Sequence, residues 1–161
     1  MATLLLLNGE LALLDDQDMP LVEAYVWHLH SNGYVVRTTG TEHERTVHWL
    51  HRIVAKTPPG MVTDHIDGNK LNNSRSNLRI ATTAQNGFNR KISKIATKTS
   101  MFKGVNWHKR NKKWRAVIKS SEARITKQRH LGYFLSDVVA AEAYNKAAIE
   151  LFGDFAKLNP V

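Results

Sequence analysis

The sequence predicts an α+β chain in two modules. The first is built from β-hairpins and a strand–loop–strand–helix core, and the second is a three-stranded antiparallel sheet packed on one helix. Three observations carry this reading. Asn8-Gly9 and Ser31-Asn32-Gly33 each separate two apolar or β-branched runs, a hairpin signature. Residues 62–66 and 78–80 bracket a loop rich in Asn, Asp and Gly, and a helix-start signal follows at Thr82. Beyond residue 101, three alternating stretches precede an alanine-rich helical pattern opening at Ser136.

Taken in order, residues 4–7 and 11–14 form the first expected hairpin, and Asp15-Asp16 offers a cap for a short helix through residue 22 or 23. Residues 25–30 and 34–38 form the second hairpin. Tyr25, Trp27 and Leu29 alternate, which buries one face and turns His28 and His30 to the other. Residues 46–55 read as a short amphipathic helix ended by Pro58-Pro59-Gly60. The strand over 62–66 is halted by Asp67-Gly68-Asn69, and Leu78 and Ile80 flank Arg79 as in a half-buried strand. Thr82 with Gln85 makes a capping-box pattern, so a helix from Thr83 carries Asn86 and Asn89 on one face. Residues 91–101 are basic and rich in Ser and Thr. They read as a linker that follows a phosphate backbone, or alternatively as a frayed extension of the preceding helix. The expected organisation is a first domain over 1–90 with its core at about 61–90, a linker over 91–101, and a second domain over 102–161.

Composition narrows the class. A hydrophobic content of 42% in 161 residues supports modest cores, and the absence of Cys excludes disulfides and thiolate zinc sites. The opening leucines are too few for a signal segment, and no run approaches the ~18 apolar residues of a membrane span. The expectation is a soluble, cytoplasmic protein of a bacterial or phage-infected cell, not secreted and without a membrane partner. His28/His30 and His48/His51 lack acidic partners at a zinc-binding spacing. The net charge of +9 is unevenly spread: residues 91–135 hold thirteen Lys and Arg against one Glu. Such a block is a footprint for a polyanion. Trp107, Trp114, Val117, Ile118, Leu131, Tyr133 and Phe134 lie within or beside it, which favours a folded basic module over a solvated tail.

The candidate chemistry lies between residues 64 and 89. Asp64 and His65 end one strand, Asn77 opens the next, and Asn86 projects from the helix. A carboxylate with a neutral amide oxygen suits a hard cation such as Mg²⁺ or Mn²⁺. A neighbouring imidazole can take a proton from water once its tautomer is fixed, and the carbonyl of Asn77 is a candidate for fixing it.

Asp-His, an Asn thirteen residues after the Asp and another twenty-two after it together resemble the ββα-metal core of HNH homing endonucleases. The third letter is Asn, as in phage-type HNN variants, and the match covers roughly residues 46–91. The resemblance implies that Asp64 and Asn86 are metal ligands, His65 the general base and Asn77 the residue that orients it. His51-Arg52 resembles the apolar-His-Arg lead-in of this group. That implies supporting roles for His51, for Arg52 as a phosphate contact, and for Asn89 beside the site.

From Phe102 onward, Lys103-Gly104-Val105, Lys113-Trp114, Leu131-Gly132-Tyr133-Phe134, Ala140-Ala141, Ala143-Tyr144-Asn145 and Leu158-Asn159-Pro160 resemble an Apetala/ethylene-response-type DNA-binding domain. That resemblance implies DNA-facing roles for Lys103, Asn106, His108, Arg115, Lys119, Gln128 and His130. To these the basic turn adds Lys109 and Arg110, and the third strand adds Arg129. Asn106, His108, Gln128 and His130 depart from the plant pattern, so no target sequence carries over.

The combined expectation is a site-specific, homing-type DNA endonuclease. It hydrolyses a phosphodiester with one divalent metal and a His general base, as a monomer on an asymmetric site in double-stranded DNA, nicking one strand. The alternative is a non-catalytic DNA-binding regulator with a degenerate nuclease half. A reading as an RNA-binding protein rests on charge alone.

Overall fold

The computed structural model describes residues 1–41, 43–89, 99–122 and 125–161. It divides into two compact units, Met1–Asn86 and Gly87–Val161, each a mixture of small antiparallel sheets and few helices. The expected linker falls mostly on residues 91–98, outside the described residues. Among the described residues no helix is long and apolar enough to cross a membrane.

In the first unit β1 (Ala2–Leu5) pairs antiparallel with β2 (Leu11–Leu14), with Leu4 opposite Ala12. Leu4, Leu6, Ala12 and Leu14 face inward and Leu5, Leu7 and Leu11 outward, as period-two alternation requires. The short helix expected next is a 3₁₀ helix over Asp16–Leu21. Asp15 does not cap it with its side chain; its carboxylate instead accepts the backbone N–H of Arg75 at 2.9 Å. The hairpin also grips the loop ahead of Arg75: Leu13 N–H donates to Leu71 O, and Asn73 N–H to Leu13 O.

β3 (His28–Leu29), β4 (Val35–Gly40) and β5 (Arg45–Trp49) form a three-stranded sheet. β3 is shorter than the alternation implied. Trp27 is buried with its indole N–H on Val22 O, whereas Tyr25 is 47% exposed beneath the Arg37 guanidinium. The helix expected over 46–55 is a second correction. Thr46, Val47 and Trp49 pair with β4 as strand, and only α1 (Leu50–Val54) is helical. β-branched and aromatic residues beside an available edge favour pairing over helical periodicity.

β6 (Val62–His65) and β7 (Leu78–Ala81) form the final hairpin of this unit, with Asp64 opposite Arg79 and His65 opposite Leu78. α2 (Thr83–Phe88) follows with the expected capping box: Gln85 N–H donates to Thr82 Oγ1, and Thr82 N–H to Gln85 Oε1 at 2.8 Å. Trp27, Leu14, Leu50, Val54, Val22 and Leu78 meet in one core beneath these elements.

In the second unit β8 (Val105–His108), β9 (Lys113–Glu122) and β10 (Ile125–Phe134) form an antiparallel sheet in the order β10-β9-β8. Residues 102–104, expected as strand, are a turn in which Gly104 has φ +77°. A Cβ there would collide with the Tyr144 ring and with Val117 O, so glycine is required for this close approach. α3 (Asp137–Phe152) begins with Ser136 Oγ accepting Val138 N–H and ends at Gly153, as expected. Its buried stripe is Ala140, Ala141, Tyr144, Ala147, Ala148 and Phe152. Leu151 is 42% exposed, and Phe152 packs inward, stacked on Phe88 with ring centroids 4.0 Å apart.

Candidate functional site

Asp64 and His65 end β6 as buried residues, each about 5% exposed or less. The cross-strand register sets Arg79 beside Asp64. Its Nε and Nη2 both donate to Asp64 Oδ2, at 2.8 and 2.7 Å. A carboxylate this deeply buried needs such charge-assisted partners.

The imidazole of His65 is positioned from several directions. Its Nε2 lies 3.4 Å from Asn73 Oδ1. The Asn73 amide is itself oriented, because Nδ2 donates to Lys70 O and Leu71 O. With Nε2–H donated to that oxygen, the lone pair resides on Nδ1. The Tyr34 and His51 rings stand 5.8 and 5.3 Å from the His65 ring. Burial pushes the His65 imidazole below its ordinary range, opposed by the Asn73 bond and the Asp67 and Asp64 carboxylates. The ring is therefore neutral near pH 7.

Asn77 is placed differently from the expected direct contact with His65. Its Oδ1 accepts Asp67 N–H at 3.0 Å, and its Nδ2 donates to Asp67 Oδ1 and Asn72 O. Asn77 O also accepts Ile66 N–H. Asn77 thus ties the two ends of the 66–77 loop, which carries Asn73 to the imidazole. Asp67 is the hub of this loop. Burial raises its pKa, but the Asn69 N–H and the Asn72 and Asn77 amides hold it below the ordinary value.

Asn86 lies in the second half of α2, half-buried, with its backbone N–H on Thr82 O. Among the described residues no three His, Asp or Glu side chains cluster as a metal site by themselves. The oxygen donors expected for a hard divalent ion are the Asn86 amide and the Asp64 carboxylate, the latter held here by Arg79. Asn89 follows α2 as a buried residue of the second unit.

One supporting expectation changes. Arg52 does not present its guanidinium outward; it donates to Met61 O at 2.9 Å and to Pro58 O and Thr57 O, bracing the turn that leads into β6. His51 is 7% exposed and lies among the Tyr34, Trp49 and His65 rings. Burial, then the neighbouring His65, Arg52 and Lys70, pushes its pKa down to about 3.

On the second unit the register places Asn106, Arg115 and Tyr133 across one row of the sheet, on the face opposite α3. His108, Lys119, Gln128 and His130 share that face by alternation, as expected. Arg115 Nε donates to Asn106 Oδ1 at 3.1 Å, and His108 and His130 flank the Tyr133 ring at 5.0 and 4.7 Å. Lys109 and Arg110 are exposed in the turn that follows β8. Two residues leave the expected set. Lys103 donates its ammonium to Phe88 O at 2.6 Å. Arg129, paired with Ile118 on the helix side of the sheet, forms an ion pair with Glu150 of α3.

Sequence reasoning missed Asn73, Arg79, Tyr34 and Tyr133. Arg79 was legible as the cross-strand partner of Asp64 once the two strands were joined as a hairpin. Tyr133 reaches this face through the register shift between His130 and Gly132, which simple alternation with Leu131 would not show. Asn73 and Tyr34 depend on loop paths that carry no periodic signal.

A strand–strand–helix unit with a buried Asp-His pair and an Asn-braced loop thus spans residues 62–88. The HNH endonuclease family profile matches residues 48–88, within which all of β6, β7 and α2 fall. The Acanthamoeba polyphaga mimivirus protein L560, named an uncharacterized HNH endonuclease, is 35% identical over 160 residues, covering 96% of this chain and 77% of that one. The chain belongs to the HNH endonuclease family. Protein 3.8 of Escherichia phage T7 is 43% identical over 61 residues, covering 38% of this chain and 49% of its own length. The SPbeta prophage-derived protein YosQ of Bacillus subtilis (strain 168), whose name carries the words HNH homing endonuclease, is 44% identical over 59 residues, covering 34% of this chain and 32% of that one. No solved structure matches.

Proposed function

We propose that this chain is a site-specific, homing-type endonuclease that hydrolyses a phosphodiester of double-stranded DNA, with His65 as general base. The observation that carries the reading is the buried His65, neutral and held with Nε2 on Asn73 Oδ1, beside the Asp64 carboxylate. A neutral imidazole with its lone pair on Nδ1 is suited to take a proton from an attacking water. Asp64 and Asn86 would hold Mg²⁺ or Mn²⁺ as in a ββα-metal core, and the bound ion would supply charge neutralisation at the scissile phosphate and the departing oxygen. Asn77 acts on the base through the 66–77 loop, and Arg79 fixes the Asp64 carboxylate.

The basic second unit would bind the duplex through the face bearing Asn106, His108, Arg115, Lys119, Gln128, His130 and Tyr133. Its three strands on one alanine-rich helix support a likeness to Apetala-type domains, and a small sheet of this kind can enter a major groove. With one such nuclease centre among the described residues, the expected form is a monomer that nicks one strand, leaving 5′-phosphate and 3′-hydroxyl ends.

The test is incubation of the purified chain with phage and bacterial genomic DNA and Mg²⁺ or Mn²⁺, with and without chelator, followed by mapping of breaks. Metal-dependent nicks at defined positions support the reading. Tight DNA binding without any metal-dependent break would favour a non-catalytic regulator instead.

A further inference from the structure

We propose that His51 is a positioning residue for His65. It acts as a flat ring that, together with Tyr34, walls in the imidazole and fixes its direction. The inference rests on the reading of His65 as the base. The three rings form a triangle, with centroid separations of 4.8 Å for Tyr34–His51, 5.8 Å for Tyr34–His65 and 5.3 Å for His51–His65. Trp49 closes the outer side, 6.0 Å from His51 and 5.8 Å from Tyr34. Lys70, on the loop that also carries Asn73, places its ammonium 4.2 Å from the Tyr34 ring centroid and donates to Asn32 O.

Hydrogen bonding does not account for where His51 sits. Its Nδ1 is buried and has no hydrogen-bond partner among the described residues. Buried polar atoms are ordinarily paired, so a side chain left this way is held by the packing of its ring. His51 stands on the second residue of α1, and the adjacent Arg52 ties the same helix to the turn entering β6. The His-Arg pair thus sets both the start of β6, through Arg52, and the wall against the side chain at its end, through His51. The 3.4 Å contact to Asn73 acts at Nε2 and fixes the tautomer of His65, and the two flanking rings limit how the imidazole plane can tilt about it. An imidazole misplaced by about 1 Å loses on the order of 100-fold in rate without loss of substrate binding.

The experiment compares single-turnover nicking, DNA affinity and thermal melting in the wild type, H51A, H51F and H65A on the fragment whose nick has been mapped, with the ¹⁵N imidazole spectrum of His65 in the first three. In H51A the chemical rate falls about 10- to 100-fold. DNA affinity stays within about twofold, and the His65 imidazole resonances broaden or shift. H51F, which keeps a ring and lacks both nitrogens, restores the rate to within about fivefold. Wild-type rate in H51A beside an inactive H65A would overturn the positioning role and leave the nuclease reading intact. Wild-type rate in H65A would remove the base and the inference with it. Should H51A not fold, H51F decides: a loss as deep as that of H65A would refute a role carried by ring packing.

Discussion

The side-chain oxygen of Asn73 faces Nε2 of His65, while the amide nitrogen of the same residue holds Lys70 O and Leu71 O. The tautomer of the imidazole is therefore dictated by a loop residue eight positions away. Replacing Asn73 with Ala removes the acceptor for Nε2–H and leaves the part-buried Lys70 O short of a donor, whereas Leu71 O keeps Leu13 N–H. The expected outcome is a mixed tautomer population for His65 in ¹⁵N-detected imidazole spectra and a nicking rate lower by about tenfold or more. The unsatisfied Lys70 carbonyl adds about 1 kcal/mol of destabilisation, which denaturation by urea will show.

The Asp64–Arg79 pair is buried on both sides, so breaking it from one side costs more than the pair contributes. Arg79→Met leaves the carboxylate without its cation and lowers stability by about 3 kcal/mol. The double variant D64N/R79M recovers most of that loss, because neither half is then an uncompensated charge. Urea midpoints for the two single variants and the double variant check this.

His51 makes the fold sensitive to acid. Its pKa lies near 3 in the folded chain against 6.5 when unperturbed. Between those values the unfolded chain binds a proton that the folded chain excludes, so stability is full above pH 6.5 and falls as the pH drops toward 3. The slope from this one group approaches about 1.4 kcal/mol per pH unit within the window. H51F lacks the group and should show a flatter profile, read from urea midpoints at pH 7.5, 6 and 5.

The free sheet face and the helix side of β10 make opposite forecasts for DNA binding. Arg115 and Lys119 share the face opposite α3, whereas Arg129 is engaged by Glu150. Removing both Arg115 and Lys119 should reduce the slope of log K against log salt by about 2, close to one per lost phosphate contact. Arg129→Ala should leave the slope unchanged. Fluorescence anisotropy over a salt series measures both.

The sequence was most informative where a local rule decides the structure. The Thr82–Gln85 box, the Ser136 cap, the Asn8-Gly9 hairpin and the alternation of β9 are all settled by nearest neighbours, and all are present. Where two neighbouring segments competed, the prediction slipped. Residues 45–49 carry a helical pattern, yet they pair with β4 because its edge is available and their side chains suit a strand. The same limit applies within the site. Asp64, His65 and Asn77 were visible from spacing, but the groups that orient them were not. The His51-Arg52 resemblance implied a phosphate contact for Arg52, and only the turn at residues 57–61 shows that its donors are already used. Asn77 was expected to touch the imidazole and instead braces the loop that does.

The most direct measurement is single-turnover nicking by His65→Ala with saturating Mg²⁺ or Mn²⁺, alongside its affinity for the same DNA. A general base at this position predicts a rate lower by about 10²–10⁴ with affinity nearly unchanged. Cleavage at the wild-type rate would contradict it.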